Sequence, residues 1–373
     1  MAAINYHYGG FPPAKLDWEK LLPLIGPANA AIARYDGLLS AIPDAAVLLG
    51  PLTTQEAVLS SRIEGTQATM GEVLEFEARE GITKVTAEKR DDIHDVLNYR
   101  KALRHAMTML ETLPLSQRVI LETHRVLMDS VRGHGKAPGF FRQIPNWIGT
   151  PGCTIEEARY IPISADKLIH GMSEFEKYIH SEEVPDKLIQ LSILHAEFEA
   201  LHPFLDGNGR LGRMLIPLFL WQIGLIQRPM FYISSFLESH RDDYYERLLA
   251  VSKEGNWTES CVFFLNALLA QANENIKKAS NILALYNTKK TSLVELTHSQ
   301  YSLLALDWIF ERPVFKSSDF VEVAGIPAPT ARRMLATFRE NGIVTTLEEA
   351  SGRRSAVYAF PELLNIAEGR DVF

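Results

Sequence analysis

The stretch Leu194-His-Ala-Glu-Phe-Glu-Ala-Leu-His-Pro-Phe-Leu-Asp-Gly-Asn-Gly-Arg-Leu-Gly-Arg213 constrains the fold most, because it must join two apolar segments through a short polar loop. Leu188, Leu191, Ile193, Leu194, Phe198 and Leu201 fall at helix-like spacing, and Pro203 cannot continue a helix, so a helix ends near His202. A second helix starts near Arg210. Its body, from Met214 to Leu225, is almost wholly apolar and runs through a core, with Pro217 as the expected kink. Between the helices, Gly207 and Gly209 of Asp206-Gly-Asn-Gly permit tight or left-handed backbone and let several N–H groups converge at a helix N-terminus, an anion nest. Arg210 and Arg213 share the first turn of that helix, where cations oppose the dipole and so serve something other than helix stability. A polyphosphate site is the economical reading.

His202-Pro-Phe-Leu-Asp206-Gly-Asn-Gly-Arg210-Leu-Gly-Arg213 resembles, at every fixed position, the signature of Fic-domain proteins, which transfer AMP from ATP to a hydroxyl side chain of a target protein. The resemblance implies that His202 is the general base and that Asp206 holds Mg²⁺. It also implies a phosphate cradle from the Gly207, Asn208 and Gly209 amides and the Asn208 side chain, in a nucleotide-binding run that includes Leu211 and Gly212. Arg210 and Arg213 then grip the far end of the triphosphate.

Three other readings compete for these letters. Gly207-Asn-Gly-Arg-Leu-Gly212 also fits the dinucleotide G-x-G-x-x-G pattern, but a helix rather than a strand precedes it and no acidic residue follows at the required distance. His195, Glu199 and His202 lie on one helix face and could be metal ligands, although no H-E-x-x-H order or further ligand accompanies them; Glu199 reads better as support for the loop. A Gly-rich turn with solvated arginines explains the glycines, but not the convergence of His, Asp, Asn and two Arg.

A chain of 373 residues, 46% of them hydrophobic, exceeds one core and predicts two or three domains. A net charge of −8 gives no general attraction to nucleic acid or anionic membrane. Cys153 and Cys261 lack metal-type spacing and suit a reducing compartment. The start has no basic or apolar leader and no uncharged run reaches the ~18 residues of a membrane span, so the cytoplasm is the expected location.

Residues 1–16 read as an extended lead-in with nothing chemical to it. Helical patterns run from Trp18 and break at Pro43. Thr53 to Thr66 reads as an N-capped helix ending at Gly65, with Ser60 and Glu64 one turn apart. Taken alone this is a solvated helix end. Beside the Fic signature, Ser60-Ser-Arg-Ile-Glu64-Gly65 resembles the inhibitory motif of one Fic class, in which the Glu pairs with the second motif arginine, here Arg213, and takes the place of the ATP γ-phosphate. An Arg–carboxylate fork suits that role.

Long helices are predicted over Asp91–Leu110, Leu115–Met128, Ala165–His180 and Asp186–Leu201. Residues 133–164 are rich in Gly and Pro, and Arg159–Ile163 alternates like a short strand, so a β-hairpin arm is expected. The resemblance makes that arm a flap that pairs with the target backbone. Phe231 onwards starts extended and becomes helical; by resemblance Tyr245 touches the nucleotide. Trp257–Asn281 reads as a closing helix.

From Ser302 three short helices and two strands around Ser351–Arg354 resemble a winged helix-turn-helix, with its turn at Ala324-Gly325-Ile326 and Arg332, Arg333 and Arg339 on the candidate recognition helix. Protein docking is favoured over DNA binding, because phosphate contacts must supply most affinity for DNA and basic residues are few. The expectation is therefore a mainly α-helical chain: an N-terminal region over 1–110 with the inhibitory motif at 60–65, a Fic core over 111–290 with the flap at about 133–164 and the loop at 202–213, and a winged-helix-like module over 295–373. The activity so implied is AMP transfer to a Ser, Thr or Tyr hydroxyl, including the chain's own, with ATP and a target protein as partners and a homodimer left open. The alternatives are a nucleotide-sensing DNA-binding regulator or adaptor, and removal of AMP at the same site.

Overall fold

The computed structural model describes residues 3–42, 44–81, 85–130, 133–150, 152–352 and 354–372. Pro43, where a helix break is predicted, Pro151 of the flap segment and Arg353 of the expected turn lie outside the described residues. The elements in chain order are β1 (Ile4–Asn5), α1 (Trp18–Ala41), α2 (Ala45–Leu48), α3 (Gly50–Ile63), α4 (Met70–Ala78), α5 (Ala87–Leu110), α6 (Gln117–Leu127), β2 (Tyr160–Ile161), α7 (Ala165–Ile179), α8 (Lys187–Leu201), α9 (Asn208–Gln222), α10 (Ser234–Ser239) and α11 (Arg241–Glu254). They continue with α12 (Trp257–Thr297), α13 (Ser302–Glu311), β3 (Val314–Lys316), α14 (Ser317–Val323), α15 (Ala328–Glu340), β4 (Thr345–Glu348), β5 (Val357–Ala359) and α16 (Pro361–Glu368). The chain is mainly helical, as its periodicity predicts.

Two compact units are interleaved in sequence: Met1–Asp36, Leu59–Thr66 and Leu97–Asn273 form one, and Gly37–Val58, Gln67–Val96 and Glu274–Phe373 the other. Helix α3 begins at Gly50, earlier than the Thr53 cap predicts, with Pro51 in its first turn where no intrahelical N–H is needed. Helix α12 runs for 41 residues, past the predicted end at Asn281.

At the centre of the first unit is α8. Asp186 caps it, its Oδ1 accepting from the N–H groups of Leu188 and Ile189 at 2.9 and 3.0 Å. Nearly every side chain of α8 is buried, so its polar members need partners: Gln190 Nε2 donates to the Tyr178 carbonyl at 2.6 Å and Ser192 Oγ to that of Leu188 at 2.7 Å. Helix α8 packs against α7, α9 and α11. Helix α9 is buried from Asn208 to Leu220, which matches its all-round apolar composition, and it starts two residues before the predicted Arg210; Pro217 lies inside it.

The segment between α6 and α7 forms the expected hairpin, and it is short. Ile148 and Tyr160 form a single antiparallel bridge, and strand β2 extends only over Tyr160–Ile161. The lead-in expected to be featureless supplies β1, which pairs parallel with β2.

In the second unit the segment from Ser302 folds as helices α13 to α16 around a three-stranded antiparallel sheet of order β3-β5-β4, one strand more than the two predicted. Trp308 lies edge-on to Phe315 and Phe320 at 4.9 and 5.1 Å, forming the core of this arrangement. Gly325, at φ +70°, makes the left-handed turn between α14 and α15, and Arg332, Arg333 and Arg339 are exposed on α15. Arg79 pairs with Glu348 at 2.6 Å and Lys316 with Glu80 at 2.7 Å, so the two residues that follow α4 are tied to this sheet.

Candidate active site

The turn from α8 into α9 is made by backbone that most residues avoid. His202 ends α8 in the left-handed region (φ 47°, ψ 60°), and Gly207 precedes α9 at φ +79°. The loop is closed by Asn208, whose Oδ1 accepts from Phe204 N–H and whose Nδ2 donates to Phe204 carbonyl, both at 2.8 Å. The Asn208 side chain is thus committed to loop shape, and what it offers an anion is its backbone N–H. The first N–H groups of α9 have no intrahelical acceptor, which leaves a nest of donors at the loop.

Two residues that the sequence reading passed over set the loop against its surroundings. His124 of α6 stacks on Phe204 at 3.7 Å; its Nδ1 accepts from Gly139 N–H at 3.0 Å, so its Nε2 carries the proton and donates to the Asp206 carbonyl at 3.1 Å. Burial pushes this imidazole down to about 4, which keeps that tautomer neutral. Arg142 is 3% exposed; its Nε donates to the His202 carbonyl at 2.9 Å and its other nitrogens to the carbonyls of Leu201, Ile144 and Ile163. A guanidinium among the last carbonyls of α8 satisfies groups the helix leaves open and opposes the dipole's negative end. His124 left one trace in sequence, a polar residue on the apolar face of an amphipathic helix. Arg142 left none, because its Gly- and Pro-rich surroundings have no periodicity.

A cavity of about 460 Å³ opens beside the loop, and Glu64, His202, Gly209, Arg213 and Tyr245 line it together. Arg213 is 1% exposed. Its Nη2 meets Glu64 Oε1 at 2.7 Å and the Ser60 carbonyl at 2.8 Å, while Nε donates to Ser60 Oγ at 2.9 Å. The expected two-pronged fork is thus shared: Glu64 takes one contact and Ser60 two. Glu64 lies just beyond the end of α3, half-exposed at the cavity wall. A Cβ on Gly209 would collide with Glu64 Oε1, so the glycine is what lets this carboxylate lie against the first turn of α9.

His202 lines the cavity, its Nδ1 buried and without a hydrogen-bond partner; burial pushes the imidazole down to about 4 against the opposing pull of Glu64. It is therefore neutral at pH 7 and able to accept a proton. Glu199, one turn earlier on α8, also lines the cavity with its Oε1 unpartnered. Burial raises it to about 8 despite the nearby Arg213. Tyr245 donates to the Ile63 carbonyl at 3.5 Å, and the Arg241 guanidinium sits 5.7 Å over its ring.

The remaining predicted residues lie around the loop rather than in the cavity lining. Asp206 is half-exposed with Oδ1 3.4 Å from Arg210 Nη2; Leu211 is fully buried, and Gly212 packs against Glu199 and Phe198. His195 is directed away from any shared metal position, its Nε2 bonded to Tyr244 Oη at 2.8 Å within the core. Among the described residues no group of three or more His, Cys, Asp or Glu could hold a metal ion.

Residues 22–108 match the family model described as Fic/DOC family N-terminal, and residues 114–220 the one described as Fic/DOC family, which contains the whole loop. The chain belongs to the Fic/DOC family. It is similar to the protein adenylyltransferase Fic of Drosophila erecta, 24% identical over 178 residues that make up 46% of this chain and 32% of that protein. The Drosophila grimshawi protein of the same name is 23% identical over the same shares. The match thus spans about a third of the length of these curated relatives. Among solved structures, a Fic family protein from Desulfovibrio desulfuricans G20 superimposes with a TM-score of 0.60 at 19% identity, over 94% of this chain and 98% of that one. Fic-1 from C. elegans does so with a TM-score of 0.52 at 17% identity, over 71% and 73%. These superpositions establish a shared Fic fold.

Proposed function

We propose that the protein transfers AMP from ATP to a Ser, Thr or Tyr hydroxyl of a target protein, and that the contact between Glu64 and Arg213 holds it in an inhibited state. The observation that carries this reading is the meeting of His202, Arg213 and Glu64 at one cavity. With the triphosphate over the loop, neutral His202 accepts the proton of the target hydroxyl as its oxygen bonds to the α-phosphorus. The bond from that phosphorus to the bridging oxygen breaks, and pyrophosphate leaves with its charge opposed by Arg210, Arg213 and the first amides of α9. Tyr245 and Arg241 form the side of the cavity offered to the base and ribose. Bound Mg²⁺ would add counter-charge to the phosphates. Half-exposed Asp206 suits an ion that takes one carboxylate and completes its shell with phosphate oxygens and water. Glu64, with its carboxylate on Arg213, competes for the place of the terminal phosphate.

We read residues 295–373 as a winged-helix-like module used for docking. Its exposed arginines on α15 share their surface with acidic groups, Glu322 of α14 beside Arg332 and Arg339 and Glu340 at the end of α15, a mixed surface poorly suited to a phosphate backbone. Among the described residues no helix is long and apolar enough to cross a membrane.

The test is to incubate the protein and its Glu64→Gly variant with a cell extract and ATP labelled at either the α- or the γ-phosphate. Label from the α position alone, appearing on protein and dependent on His202, supports the reading. No protein-bound label with either form of the chain overturns it.

A further inference from the structure

The segment 4–8 is fastened to the core by more than its short strand. Ile4 N–H donates to the Arg159 carbonyl at 3.1 Å and Tyr6 N–H to the Ile161 carbonyl at 2.9 Å, so the segment occupies one edge of β2. Its side chains then reach α8. Tyr6 Oη donates to Glu197 Oε1 at 2.6 Å, and His7 Nε2 lies 2.8 Å from Glu197 Oε2. Glu197 is fully buried, five residues before His202. His7 Nδ1 continues to Ser252 Oγ at 2.7 Å, Ser252 Oγ donates to Tyr160 Oη at 3.3 Å, and Tyr160 Oη donates to the Ala200 carbonyl at 2.9 Å. The circuit therefore closes on the flap strand and on the last turn of α8 at once.

A carboxylate buried this deeply is costly unless its oxygens are satisfied, and both partners come from this one segment. On its other side, Tyr160 bridges to Ile148, and Ile148, Arg159 and Tyr160 all face the cavity that holds His202. We infer that Tyr6 and His7, through Glu197, are positioning residues that fix the flap strand against the helix carrying His202, and so set the geometry in which a target is presented. This rests on the AMP-transfer reading for its functional consequence, but the mechanical part does not. A loosened segment would leave the nucleotide side of the cavity, Arg213 and the loop amides, as it is.

The two parts are tested together with Ile4→Pro and Asn5→Pro in the full chain. Both substitutions fix the backbone similarly, but only the first removes a donor to β2, since Ile4 and Tyr6 direct their N–H groups into β2 and in that alternation the N–H of Asn5 between them faces the other way. Hydrogen exchange is read at the Ile148 and Tyr160 amides, which bond to each other's residues and not to the segment. Ile4→Pro should raise their exchange about fivefold, the factor of one net hydrogen bond, and Asn5→Pro should leave it unchanged. In labelling with α-labelled ATP and graded concentrations of cell extract, Ile4→Pro and Tyr6→Phe should raise the extract concentration for half-maximal rate severalfold. The maximal rate and the ATP affinity should stay within twofold of the parent. Equal exchange in the two proline variants, or a fall in maximal rate without a shift in half-saturation, overturns the inference. If the parent labels nothing, the AMP-transfer reading fails, while the exchange comparison still decides whether the segment fixes the flap.

Discussion

Glu64 Oε1 lies 2.7 Å from Arg213 Nη2 although the two residues stand 149 positions apart, and Ser60 holds the same guanidinium from its other side. The arginine is buried and the carboxylate half-exposed, so the pair is asymmetric: Ser60 fixes Arg213 in place while Glu64 can leave toward the cavity. A terminal phosphate could therefore replace Glu64 without the arginine having to be rebuilt.

His202→Ala should lower the rate of transfer at least about 100-fold, the lower end of what a positioned general base contributes. Nucleotide binding should stay within a few-fold, because Arg213 and the loop amides are untouched. Binding of a labelled ATP analogue beside the transfer rate measures both. Equal loss in the two would mean that His202 supports the loop rather than the chemistry.

Arg142→Met should destabilise the fold by about 3 kcal/mol or more, since it leaves the carbonyls of Leu201 and Ile163 without this donor in a buried place and removes the bonds to those of His202 and Ile144. Arg142→Lys should recover only part of this, because an ammonium cannot reproduce the planar fork. Urea unfolding of the three proteins gives the comparison.

Gly212→Ala places a methyl group against Glu199 Oε1 and Phe198 Cδ1, and should cost about 1–3 kcal/mol. Combining it with Glu199→Ala should return most of that loss, since the obstructing carboxyl is removed. The interaction energy of the double-mutant cycle is the measurement, and additivity would contradict the packing described.

Acid should weaken the fold well above the usual carboxylate range. His124 and His202 are pushed down to about 4 and His195 to about 3, all by burial, so between pH ~6.5 and ~4 the unfolded chain takes up protons that the folded chain refuses. The stability these histidines contribute is fully present above pH ~6.5 and is lost as pH falls through that window. Glu199, raised to about 8, acts in the opposite direction, binding a proton in the folded state from about pH 8 downward. Three protons against one give a net fall of about 2–3 kcal/mol per pH unit from these groups near pH 5. Denaturant midpoints from pH 7 to pH 4.5 measure it, and a His124→Asn variant should show a shallower slope.

The loop was legible because its chemistry is local. Pro203 ends one helix, two glycines open the next, and the charged residues sit within twelve positions of each other. Glu64 was legible only through its resemblance to a known motif, since a carboxylate at a helix end is ordinarily solvated. The chain's first residues were misread for a related reason. Tyr6 and His7 have no periodic context, and their significance depends on Glu197, a residue that α8 carries among apolar neighbours and that only the tertiary arrangement brings to them. The flap was legible because Gly and Pro mark a hairpin and Arg159–Ile163 alternates, though such residues do not set how far its strands pair; among the described residues Ile148 and Tyr160 bridge. Strand β3 was missed because three residues between two helices offer no alternation to detect.

The measurement that bears most directly on the account is the initial rate of protein labelling from α-labelled ATP for the parent chain, Glu64→Gly, and Glu64→Gly combined with Arg213→Ala, each at several ATP concentrations. If Glu64 holds the place of the terminal phosphate on Arg213, Glu64→Gly should label at least about tenfold faster at low ATP, the factor for ~1.4 kcal/mol of relieved competition. The double variant should lose that gain. Equal rates for the parent and Glu64→Gly at every ATP concentration, with both proteins folded, would contradict it.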